Sequence, residues 1–71
     1  MEIWSSEYRV FLKKLKQARV EAKLTQVQAA QKLDKPQSYV SKCESGERRV
    51  DVVELKKFAR FYRKPLSFFF S

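Results

Sequence analysis

The sequence predicts an all-α fold, a compact domain of five helices. Three observations point there. Apolar residues recur at the i, i+3, i+4, i+7 spacing of an amphipathic helix near both ends of the chain. Helix-start signatures, Thr25 with Gln28 and Asp51 with Glu54, precede two of the apolar runs. The 71 residues include one Gly and two Pro, too few tight-turn residues for a multi-strand sandwich. A chain of this length reads as one domain over residues 1–71. Such a domain buries only about 60% of its unfolded surface, so its core must be well organised.

The first helix is expected within "SSEYRVFLKKLKQARVEAK", residues 5–23. Tyr8, Phe11, Leu12, Leu15, Ala18, Arg19 and Ala22 form its inner stripe. Ser5 or Ser6 caps it, and Glu7 lies in its first turn. Lys13, Lys14, Lys16 and Lys23 occupy the opposite, solvated face. The second helix, about 25–33, lies in "LTQVQAAQKL", with Val27, Ala30 and Leu33 inward. It stops at Asp34-Lys35-Pro36, because a residue before Pro is pushed out of the α region. The third runs from about 37 to 44, with Pro36 at its start and Gly46 at its stop. The fourth starts at Asp51, places Val52, Leu55, Phe58, Ala59 and Tyr62 inward, and ends at Pro65. "PLSFFFS" is expected to add the fifth helix, one short turn.

Lys and Arg total 16 against 8 Asp and Glu, with no His, for a formal net charge of +8. That excess implies a polyanionic partner, or simply solubility. It is spread along the chain, unlike a disordered basic arm. One cysteine, Cys43, allows no internal disulfide, and the lack of His rules out a Cys/His metal site. A single cysteine is consistent with a reducing cytoplasm, the expected location. No run of 18 apolar residues predicts a membrane span, and "MEIWSSEYRV" lacks the basic and apolar regions of a signal peptide. No nucleophile beside a base and no Gly-rich phosphate loop is present, so neither an enzyme nor a cofactor is expected.

The second and third helices, joined by a tight turn, form a helix-turn-helix. Such a unit needs a small residue where its helices cross, which Ala30 supplies, and apolar residues inside the second helix, which Val40 and Cys43 supply. At about 100° per residue, turning Val40 to the core places Ser38, Lys42 and Ser45 on the opposite side, with Ser41 beside them. Gln37 stands at the exposed N-terminal end. This face of short hydrogen-bonding groups suits a helix lying close to a surface. The major groove of B-DNA admits such a helix: Gln bonds adenine in bidentate fashion, Lys reaches guanine and Ser serves several bases. The bland alternative is an ordinary solvated face.

"LTQVQAAQKLDKPQSYVSKCESGERRVDVVEL" resembles the helix-turn-helix of the Xre/Cro-like, lambda-repressor-like DNA-binding family, and the likeness spans roughly residues 8 to 69. It rests on "LTQ" opening the second helix, the central Ala30, "SYVSKCESGER" and "DVVEL" together. The resemblance implies that Gln37, Ser38 and Lys42 read bases, with Ser41 beside them. It implies backbone contacts from Gln26, Ser45, Arg48 and Arg49, and Lys35 joins that set. It also implies that Arg19 and Glu44 form an ion pair tying the first helix to the end of the third. Three positions depart from the pattern: Asp34 stands where Gly is usual, Pro36 where Ser or Thr caps, and Cys43 where a larger aliphatic residue is common. Cys43 reads as a small buried apolar residue rather than a redox sensor.

Aromatic residues crowd the C-terminus: Phe58, Phe61, Tyr62, Phe68, Phe69 and Phe70. Exposed apolar patches mark partner sites, and relatives in the family dimerise through their last helices. The expectation is a two-fold homodimer through Phe61, Leu66, Phe69 and Phe70. The alternative is that these rings close the monomer core over Trp4. The functional expectation is a sequence-specific regulator of transcription, a repressor on double-stranded DNA. Two alternatives stand beside it: an antitoxin-type autorepressor whose tail meets a toxin or other protein partner, and an interaction module that has lost DNA binding.

Overall fold

The computed structural model describes residues 5–70; Trp4 lies outside them. Four α-helices follow one another: α1 Ser6–Glu21, α2 Gln26–Leu33, α3 Gln37–Ser45 and α4 Val52–Tyr62. The expected fifth α-helix is instead a five-residue 3-10 helix, Leu66–Phe70. Pro65 opens that segment, and the Phe68 N–H bonds the Pro65 carbonyl at 3.0 Å. A ring that fixes φ and a segment too short for a second turn favour this tighter helix.

The helix starts follow their local chemistry. The Ser5 side chain accepts the Tyr8 N–H. Thr25 and Asp51 each form a complete capping box, with Gln28 and Glu54 respectively. Pro36 caps α3 without a side-chain hydrogen bond, as expected of a residue with no acceptor on its side chain. The stops share one device. Lys23, Asp34 and Arg63 all take the left-handed conformation, with φ of 62°, 58° and 57°. In each case the next N–H reaches back to a carbonyl five residues earlier: Leu24 to Arg19, Lys35 to Ala30 and Lys64 to Ala59. These bonds satisfy carbonyls that the last helical turn leaves over. The exit of α3 uses Gly46 at φ 87°, where glycine meets no Cβ clash.

Phe11, Leu15, Ala18, Ala29, Ala30, Val40, Cys43, Leu55, Phe58, Ala59, Tyr62 and Phe69 form the core. Aromatic rings run through it. Phe11 lies 5.3 Å from Tyr8 and 6.1 Å from Phe69, and Phe58 lies 5.6 Å from Tyr62. The Tyr62 hydroxyl is buried without a hydrogen-bond partner among the described residues. Lys14 and Lys64 both approach the Phe68 ring, at 5.0 and 4.7 Å. Lys64 also pairs with Glu21. These contacts pin the C-terminal segment along α1.

Two inward expectations on helices fail. Val27 and Val52 are exposed, while Ala29 is buried. Ala29 and Ala30 are both buried, so the alanine phase of α2 faces the core. No helix among the described residues is long and apolar enough to cross a membrane.

Candidate nucleic-acid interface

The site is α3 and the segments that enter and leave it. Val40 and Cys43 are 0% exposed, and that fixes the rotation of α3. Burial raises the Cys43 thiol above its ordinary pKa, which keeps it protonated and unreactive. Gln37, Ser38, Lys42 and Ser45 are exposed, and Ser41 is half-buried. The outward face is therefore a strip of one amide, hydroxyls and an ammonium group.

Beneath this strip runs a continuous chain of side-chain hydrogen bonds. Arg19, from the inner stripe of α1, bonds Glu44 through Nε at 2.6 Å and Nη2 at 3.2 Å. Its Nη1 also donates to the Leu24 carbonyl at 2.8 Å. The two side chains are only 10% and 6% exposed. Glu44 Oε1 in turn accepts Gln26 Nε2 at 3.1 Å. Gln26 Oε1 accepts Gln37 Nε2 at 2.7 Å. The chain explains why an arginine sits on an apolar stripe and a glutamate on the inner side of α3: each satisfies the other out of water. It also orients two amides. With one Nε2 hydrogen committed to Gln26, Gln37 keeps its Oε1 and second N–H for an outside partner.

The other named residues sit around this strip. Ser45 is occupied locally: its hydroxyl donates to the Lys42 carbonyl at 3.2 Å and accepts the Glu47 N–H at 3.3 Å. Lys35 is exposed in the turn, with Nζ 5.3 Å from the centroid of the Tyr39 ring. Arg48 pairs with Glu54 at 2.7 Å and lies 4.9 Å from the same ring. Arg49 is exposed and lies over the Tyr8 ring at 5.0 Å. The Tyr8 hydroxyl accepts the Val50 N–H at 3.0 Å, which ties the exit from α3 to α1.

The four residues expected at a dimer surface do not form one patch. Phe69 is 1% exposed: at about three residues per turn, the 3-10 helix turns it into the monomer's own core. Phe61 is half-buried and lines a depression with Leu24 and Tyr62, beside the C-terminus of α1. Phe70 lines grooves at the opposite end of α1, with Glu7, Tyr8 and Val10. Phe70 is 70% exposed, and Leu66 is also exposed.

Sequence reasoning missed Tyr39 and Glu54. The Tyr39 hydroxyl donates to Glu54 Oε2 at 2.8 Å. The available signal was an aromatic residue between the inner and outer faces of α3, but nothing in the sequence pointed to its partner 15 residues on.

The geometry defines a helix-turn-helix unit, and comparison with known proteins agrees. The helix-turn-helix family model HTH_3 matches residues 15–69. An XRE-family like protein from Pseudomonas syringae pv. tomato str. DC3000 is similar in structure, with a TM-score of 0.83 and 39% sequence identity. The similarity covers 90% of this chain and 78% of that one. No curated protein matches the sequence. The chain belongs to the XRE-like helix-turn-helix family, a family of DNA-binding transcription regulators.

Proposed function

We propose that this protein is a sequence-specific regulator that binds double-stranded DNA through α3 and represses transcription from a pseudo-palindromic operator as a homodimer. One observation carries the reading: Val40 and Cys43 are fully buried while Gln37, Ser38 and Lys42 stand exposed on the outer face of α3. Gln37 is suited to adenine, with its Oε1 accepting from N6 and its remaining N–H donating to N7. Lys42 is suited to guanine, and Ser38 and Ser41 to either kind of edge. Gln26, Lys35, Ser45, Arg48 and Arg49 are the proposed backbone contacts. They supply affinity, position and salt dependence rather than sequence choice.

Each protomer measures 33 × 24 × 20 Å. Two such bodies side by side suit half-sites one DNA turn, about 34 Å, apart. Leu66 and Phe70 are the proposed anchors of the two-fold contact. A cytoplasmic, nucleoid-associated location follows from the function. The exposed Phe70 also favours a second reading, an autorepressor whose tail meets a partner protein.

Selection from a randomised duplex pool at moderate salt, followed by footprinting, tests the proposal. It should return a two-fold symmetric motif with half-sites one turn apart. Selection that enriches nothing would remove the regulator reading, and an asymmetric single half-site would remove the homodimer.

A further inference from the structure

Tyr39 belongs neither to the core nor to the outward strip of α3. Its ring stacks on Phe58, with centroids 6.2 Å apart and planes 11° from parallel. Its hydroxyl and Arg48 Nη1 meet the same oxygen, Glu54 Oε2, at 2.8 and 2.7 Å. Glu54 Oε1 accepts the Asp51 N–H at 2.9 Å, so the carboxylate is anchored to the first turn of α4. Two cations approach the Tyr39 ring: Lys35, which leads into α3, and Arg48, which follows it. One phenol thus gathers positive charge from both ends of the outward helix.

The bland interpretation is a surface ion pair that neutralises Arg48 and contributes little. The geometry favours another. The Glu54 side chain is 16% exposed and that of Arg48 44%, so the carboxylate lies behind and the guanidinium in front. Arginine carries five N–H groups in a fixed fork. Its contacts to Glu54 and to the Arg49 carbonyl both use Nη1. Ordering a free arginine on a phosphate costs rotamer entropy. An arginine already held by a ring and a carboxylate has lost that freedom before DNA arrives.

We infer that Tyr39 and Glu54 are positioning residues for the DNA backbone: they hold Arg48, with Lys35 on the same ring, where the two cations grip phosphodiester oxygens at either end of α3. This rests on the DNA-binding reading above. Because phosphate contacts carry no sequence information, the pair sets affinity and salt dependence and leaves the motif unaltered.

The test compares the full wild-type chain with Tyr39→Phe, Glu54→Gln, Arg48→Ala and the Glu54→Gln/Arg48→Ala double variant. Fluorescence anisotropy on the selected duplex and on a scrambled one is read over a salt series, with thermal melts alongside. Tyr39→Phe keeps the stacked ring. Glu54→Gln keeps the amide oxygen a capping box needs, as Gln28 does in α2. Each single variant should lose about tenfold in affinity on both duplexes, roughly what one charge-assisted hydrogen bond contributes. Arg48→Ala should also flatten the salt slope by about 0.9 per subunit, and the double variant should bind no worse than Arg48→Ala. Glu54→Gln discriminates, because it removes a negative charge: mere neutralisation predicts tighter binding. Tighter or unchanged binding by Glu54→Gln, or additive losses in the double variant, overturns the inference. If Glu54→Gln does not fold, Tyr39→Phe decides, and unchanged affinity overturns the inference. A wild-type chain that selects no motif overturns the function as well; a wild type that binds its motif alongside unaffected variants overturns only the positioning role.

Discussion

At the scale of single residues, the charges that matter most are the covered ones. Arg19 and Glu44 are largely out of water, so removing one partner strands the other. Arg19→Met should cost about 3–5 kcal/mol, much of the roughly 4–10 kcal/mol that a domain of this size has in total. Adding Glu44→Leu should recover stability, because a well-packed apolar pair replaces a buried ion pair at little cost. It should not recover DNA binding, because Gln26 and Gln37 lose their anchor. Denaturant melts and anisotropy measure both; an Arg19→Met chain within about 1 kcal/mol of wild type, in the range of an exposed pair, would contradict this account. Glu54 gives the pH dependence. Burial alone would raise its carboxyl, but bonds from the Asp51 N–H, Tyr39 and Arg48 outweigh burial and bring the pKa below its ordinary 4.5. A group depressed in the folded state contributes stability above its unfolded pKa and loses it as pH falls through the folded one. The difference in Tm between wild type and Glu54→Gln should therefore be full at neutral pH and close below pH 4.5. A difference that widens toward acid would refute the assignment.

At the scale of elements, the non-glycine stops of α1, α2 and α4 show where the fold carries local strain. A left-handed residue with a Cβ costs roughly 1–2 kcal/mol, and glycine returns about half of that advantage through unfolded-state entropy. Arg63→Gly, distant from α3 in sequence, should raise stability by about 0.5–1 kcal/mol, and a melting point that falls would show that the Arg63 side chain matters more than its backbone. The elements also show what a sequence displays. The caps at Thr25 and Asp51 and the stop at Gly46 were legible because each depends on residues a few positions apart. The rotation of α3 was legible from Val40 and Cys43 for the same reason. The phase of α2 was not: an eight-residue helix with valine, alanines and leucine fits two inward faces, and packing of the assembled core chose Ala29 over Val27. The run Phe68-Phe69-Phe70 has no internal period, so the inward turn of Phe69 depended on a 3-10 geometry that composition does not reveal. The pairing of Tyr39 with Glu54 joins separate helices, and no local spacing encodes it.

At the scale of the whole molecule, adjacent phenylalanines face opposite ways, Phe69 into the core and Phe70 outward, and the proposed dimer contact belongs to Phe70. Phe69 closes the core against Phe11, so Phe69→Ala should cost about 3–5 kcal/mol and lower the Tm steeply. Phe70 faces outward, so Phe70→Ala should leave the monomer's Tm nearly unchanged and weaken self-association. Sedimentation equilibrium with thermal melts separates the two effects. Equal losses of Tm for both variants would show that Phe70 is also part of the core, and an unchanged association constant for Phe70→Ala would remove it from the dimer contact. The proposed function depends on α3 reading bases with its outward strip. The most direct measurement is parallel duplex selection with wild type and Gln37→Ala. Wild type should return a two-fold motif, and Gln37→Ala the same motif with its preference lost at one A·T pair per half-site. Identical motifs from both chains, or none from wild type, would contradict it.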